Sequence, residues 1–162
     1  MKSATVNEIK KELQSLAPEQ VLQLCMRLAK YKKDNKELFS YLLFEAHNEA
    51  QYIKQIKQDV DVWFDEINVG HPYYIKKTLR KILRHINKQV KYSGIKQTEV
   101  ELLLYFCGKC RDKNIPLAES TALYNIYAAQ IKKIVKAMTS LHEDLQYDYL
   151  KELDGLRLDF IE

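Results

Sequence analysis

The sequence predicts an all-α fold, and three observations carry that prediction. Apolar residues recur at three- and four-residue steps along most of the chain. Capping-box pairs punctuate those runs. Four glycines and three prolines are too few for the turns of an all-β domain. A chain of 162 residues with 46% hydrophobic content is long enough to bury about 70% of its unfolded surface. Residues 1–155 are therefore expected as a single helical domain, with a short C-terminal tail at 156–162.

The first helix is announced by Thr5-x-x-Glu8, and it carries Ile9, Leu13 and Leu16. Ala17-Pro18-Glu19 starts the second, because a first-turn proline has no N–H to lose. That helix runs to about Lys33 with Val21, Leu24, Cys25 and Leu28 on one face. Asp34-Asn35 offers the next cap, ahead of Leu38, Phe39, Tyr41, Leu42 and Leu43. One helix from Lys36 to Val69 would be ~51 Å long, more than the ~40 Å breadth of a compact domain this size. A break near His47-Asn48 is expected, with Asn48-x-x-Gln51 capping a fourth helix. Ile53, Ile56, Val60, Trp63, Phe64 and Ile67 form its core stripe.

Gly70-His71-Pro72 is the strongest breaker. The fifth helix, about Tyr73–Tyr92, aligns Ile75, Leu79, Ile82, Ile86 and Val90 and stops at Ser93-Gly94. Thr98-x-x-Glu101 is expected to open the sixth, which ends near Asn114. Pro116 is expected to start the seventh, with Ile131, Ile134, Val135 and Met138 inward. Ser140-x-x-Glu143 is expected to open the eighth, closed by a left-handed Gly155.

Short connections make successive helices antiparallel. The architecture is thus seven to eight amphipathic helices, as stacked antiparallel hairpins (a short α-solenoid) or a compact bundle. The third and sixth helices are apolar nearly all round, which suits helices held between neighbours. Residues 37–44 resemble 101–106, but two such segments do not establish a repeat.

The longest apolar run, Leu102–Cys107, is far short of the ~18 residues of a membrane span. The start has no apolar leader core. Three cysteines, an odd count, read as free thiols of a cytoplasmic protein. The opening outline of helix, short turn and helix, Val6 to Leu28, resembles the SAP nucleic-acid module. Ala17-Pro18 stands where that module carries glycine, the likeness covers a small part of the chain, and no function is carried over from it.

Catalytic constellations are missing. Cys107-x-x-Cys110 sits late in a helix, where the dipole raises rather than lowers a thiol pKa, and no second ligand pair accompanies it. His47, His71, His85 and His142 form no metal motif. Asp59, Asp61, Asp65 and Glu66 read as a solvated helix face. No catalytic, metal or cofactor residue is assigned, and the chain is read as a non-enzyme.

Charge is segregated instead. From Ile67 to Thr98 there is no acid and there are eight cations: Lys76, Lys77, Arg80, Lys81, Arg84, Lys88, Lys91 and Lys96. The last twenty residues hold seven acids and two bases. Lys77, Lys81, Arg84, Lys88 and Lys91 form one stripe on the fifth helix, with Tyr73 and Tyr74 at one end and Tyr92 at the other. These residues are the expected partner-binding surface of a helical interaction module, with an acidic protein as partner. Nucleic acid bound by the basic helix around 76–91 is the alternative. A solvated face complemented by the acidic C-terminal segment is the plain reading.

Overall fold

In the computed structural model, which describes residues 2–156, the chain forms eight α-helices: α1 (Val6–Ser15), α2 (Pro18–Tyr31), α3 (Lys33–Ser40), α4 (Glu49–Asp65), α5 (Pro72–Ser93), α6 (Lys96–Asp112), α7 (Thr121–Met138) and α8 (Glu143–Asp154). A π-turn covers Tyr41–Glu45 and a 3-10 turn covers Leu117–Glu119. Among the described residues there is no strand, and no helix is long and apolar enough to cross a membrane. Apart from Leu156, the tail expected at 156–162 lies outside the described residues.

Several starts follow the capping chemistry read from the sequence. Thr5 and Glu8 close a full capping box, Pro18 is in the first turn of α2, and Asn48 Oδ1 accepts the Gln51 N–H at 3.2 Å. Gly94, at φ 69°, ends α5 with its N–H on the Val90 carbonyl. Other expectations are corrected. Chain extension at Lys32 ends α2 and starts α3, while Asn35 donates to the Leu28 carbonyl instead of capping. Thr98 does not cap α6, which begins at Lys96; its hydroxyl donates to Glu49 Oε1 at 2.5 Å. Pro116 does not start α7. Asn114, at φ 49°, makes a left-handed stop after α6, with Ile115 N–H on the Cys110 carbonyl. Ser140 donates back to Ala137, so His142 caps α8 through Nδ1. Gly155 is right-handed at φ −67°.

Contacts divide the chain into two units, residues 1–44 and 45–162. In the first, α2 packs along α3, yet α1, α2 and α3 bury no side chain. Val6, Leu22, Tyr31, Leu42, Leu43 and Phe44 are all more than half exposed. The expectation that the third helix sits enclosed between neighbours therefore fails. So short a unit has too little chain to build a substantial core of its own.

The second unit is built around α6, which buries Val100, Leu102, Leu103, Leu104, Phe106, Cys107 and Cys110. These residues point all round the helix because α6 packs against α4, α5, α7 and α8. Closely packed helices are neighbours or next-but-one in the chain. This connectivity places α4, α6 and α8 in one layer and α5 and α7 in the other. Side-chain pairs give the directions. Glu49–Thr98, Asp61–Lys109 and Asp65–Lys113 run α4 parallel to α6, and Tyr149–Glu101 continues the layer into α8. Tyr52–Gln89 and Asp59–His85 run α5 antiparallel to α4. Glu49, Lys96 and Glu143 open α4, α6 and α8 at equal intervals of 47 residues, a spacing typical of helical-hairpin arrays. The recurrence is thus α4–α6–α8, and the likeness of residues 37–44 to 101–106 plays no part in it.

Candidate functional site

Helix α5 positions the candidate surface. His71 Nδ1 accepts the Tyr73 N–H at 3.1 Å, Pro72 occupies the first turn, and Gly94 stops the helix. Ile75, Leu79, Ile82, Leu83 and Ile86 are buried and fix its rotation. At 3.6 residues per turn, Lys77, Lys81, Arg84, Lys88 and Lys91 then lie opposite the core. Lys88 is half-buried and the other four are exposed. The stripe stands on the outermost face of α5.

The face has two flanks. Toward α4, Lys81 Nζ stands 4.8 Å from the Trp63 ring centroid. The His85 ring meets Trp63 edge-on at 4.8 Å, and its Nε2 lies 3.3 Å from Asp59 Oδ2. Along α5 itself, an open groove of about 500 Å³ is lined by Tyr73, Lys76, Lys77, Arg80, Leu83, Arg84 and Asn87. Arg84 is steadied by its Nε on the Arg80 carbonyl at 3.4 Å. Lys133 of α7 donates to Asn87 Oδ1 at 3.1 Å and adds a cation at the far end. Tyr73 and Tyr74 are 56% and 53% exposed, with ring centroids 5.4 Å apart and nearly perpendicular.

No carboxylate among the described residues comes within 4.0 Å of Lys77, Arg80, Lys81, Arg84 or Lys91. Cations on α6 and at its C-cap are treated otherwise. Lys109 reaches Asp61 at 2.6 Å and Lys113 reaches Asp65 at 2.8 Å. Of the acids expected as a solvated face, Asp59, Asp65 and Glu66 are exposed, while Asp61 and Asp65 also fasten α4 to α6 and its C-cap. Burial works to raise the Asp61 carboxyl, but hydrogen bonds from Lys109 and Tyr105 and the Lys109 and Lys113 charges hold it below its ordinary value. The acidic helix α8 packs on α6 and α7, and none of its carboxylates comes within 4.0 Å of Lys77, Lys81, Arg84 or Lys91; the rest of the acidic C-terminal segment lies outside the described residues.

No family model matches this chain, and no curated protein or solved structure matches it.

The remaining candidates resolve into structure. Cys107 and Cys110 are fully buried on successive turns of α6, and burial pushes both thiols up. His71 and His142 cap helices, and His47 is an exposed turn residue. Among the described residues, no three His, Cys, Asp or Glu groups converge as metal ligands. A hollow of about 450 Å³ at the starts of α4 and α6 contains Glu49, Lys54, Lys57, Thr98 and Glu101. Its carboxylates are engaged: Glu49 takes the Ser93 and Thr98 hydroxyls, and Glu101 takes Gln97 and Tyr149. Burial, with the Glu101 hydrogen bond, pushes the Tyr149 hydroxyl up to about 12.

Of the residues expected to bind, Tyr73, Lys77 and Arg84 line the groove, while Lys81, Lys88, Lys91 and Tyr74 lie outside it. Lys76 and Arg80 belong to the groove through their four-residue spacing, a signal the single stripe left aside. Lys133, on another helix and 46 residues beyond Asn87, had no local signal.

Proposed function

We propose that this protein is a non-enzymatic binding module that holds an acidic macromolecular partner against the outer face of α5. The observation that carries the reading is the row of exposed α5 cations without a carboxylate. Like charges three and four residues apart on a helix repel, and no carboxylate among the described residues pairs with Lys77, Arg80, Lys81, Arg84 or Lys91 to offset that repulsion. A polyanionic partner would. Exposed tyrosines beside the cations suit an interface, where Tyr is enriched. A cytoplasmic residence accords with three free thiols.

The test is reversal of Lys77, Lys81, Arg84 and Lys88 to Glu, with helicity checked by circular dichroism. Heparin and polyglutamate serve as probes. The parent chain should bind both at low salt, and the reversed chain should lose at least about tenfold in affinity. Equal binding by the two chains, or no binding by the parent, removes the assignment.

A further inference from the structure

We propose that the groove along α5 takes a single nucleic-acid strand, with phosphates on Lys76, Lys77, Arg80 and Arg84 and a base stacked on Tyr73. The inference rests on the polyanion reading above and narrows it to one class of partner.

Three features select this class. Recognition of single strands without sequence preference combines a cationic groove that follows the backbone with aromatic rings that stack on bases. Here both parts are side by side: four cations within two and a half turns of one helix, no acid in the lining, and Tyr73 at the entrance. Tyr73 and Tyr74 also leave more than half their area in water although they stand in the first turns of α5. A stacking platform uses such rings, and a purely ionic contact with an acidic peptide leaves them idle. Finally, a groove of about 500 Å³ is on the scale of a small-ligand site. That volume suits one or two nucleotides of a strand.

The geometry also orders the contacts. Arg84 is braced on the Arg80 carbonyl, so its guanidinium is held over the groove for phosphate, a task for which its planar fork is suited. Lys133, held by Asn87, stands where the strand would leave toward α7. Lys76 Nζ lies 5.8 Å from the Tyr73 ring centroid, so phosphate and base contacts would be made at adjacent points.

The test uses the full chain with labelled oligothymidylate and oligouridylate, read by fluorescence anisotropy, alongside an abasic strand, a duplex and polyglutamate. The expected result is single-strand binding whose log affinity falls with log salt at a slope of about −3, from roughly 0.7 per phosphate for four phosphates. Tyr73→Ala should weaken it about tenfold while Tyr73→Phe retains it, since the ring stacks and the hydroxyl does not. Arg80→Ala with Arg84→Ala should flatten the slope. Binding of the abasic strand or the duplex as tightly as of oligothymidylate overturns the proposal. So does affinity for polyglutamate alone, which would leave the acidic-partner reading standing. Affinity for none of these probes overturns both.

Discussion

Substituting Thr98 with Val asks whether Glu49 fastens the start of α4 to the start of α6. Valine keeps the shape of the side chain and its burial but removes the hydroxyl. That hydroxyl has no solvent exposure and donates to Glu49 Oε1 at 2.5 Å. A hydrogen bond to a charged group contributes about 1.5–3 kcal/mol. Two features place this one at or just below the lower end. Glu49 is half-buried, so water screens the interaction. It also keeps the Ser93 hydroxyl at 2.5 Å, so no charge is left without a donor. The expected loss is about 1–1.5 kcal/mol, or roughly 3–6 °C in Tm for a unit of this size. Urea unfolding followed by circular dichroism reads it directly. A double-mutant cycle with Glu49→Ala isolates the pair and should return a coupling of about 1 kcal/mol. A coupling within about 0.3 kcal/mol of zero would refute the idea that this contact joins the two helices.

Asp61 gives a pH signature. Its carboxyl is held below the ordinary value by Lys109 and Tyr105, so its contribution is present above the unfolded pKa and fades as pH falls through the folded one. Asp61→Asn should therefore lower stability at neutral pH by about 0.5–1 kcal/mol, discounted for exposure. The difference should begin to shrink below about pH 4 and close once the pH is below the lowered folded value; a gap that persists in strong acid contradicts it. For the thiols, a disulfide reagent should modify Cys25, which is half-exposed, in the native protein. Cys107 and Cys110 should react only after denaturation, because both are buried and their thiols are pushed up. Rapid native labelling of all three would show that α6 opens far more readily than its packing implies.

The helices themselves were legible because hydrophobic period and burial agree. Ile53, Ile56 and Val60 on α4 and Ile75, Leu79, Ile82 and Ile86 on α5 point inward as their spacing predicts. Boundaries failed where tertiary contacts outbid local chemistry. Thr98 has the form of a cap, but Glu49, 49 residues away, claims its hydroxyl. Pro116 has the form of a helix start, but burial of Ile115 and Leu117 draws the connection inward and delays α7. Val135, in phase with the inward stripe of α7, is 41% exposed. Of the candidate site, the cationic face was legible because the charges share one helix. The groove was not, because a hollow among the side chains of α5 leaves no mark in the local pattern. The hub role of Asp61 was hidden for the same reason: its partners are a layer neighbour's side chains, 44 and 48 residues further on.

The stacking order also sets a mechanical sequence. Helix α8 rests only on α6 and α7 among its close neighbours, and Tyr127 tethers its far end through the Leu156 carbonyl at 2.6 Å. Tension applied at Leu156 would load that tether and then peel away a helix with one fully buried side chain, Leu153. In a nearest-neighbour stack each departure weakens mainly the next element, so α7 would follow. Helix α6, gripped on several sides, would be the last to yield. Asn87 of the proposed strand-binding groove holds Lys133 of α7, so a strand seated there would brace the second element to come away.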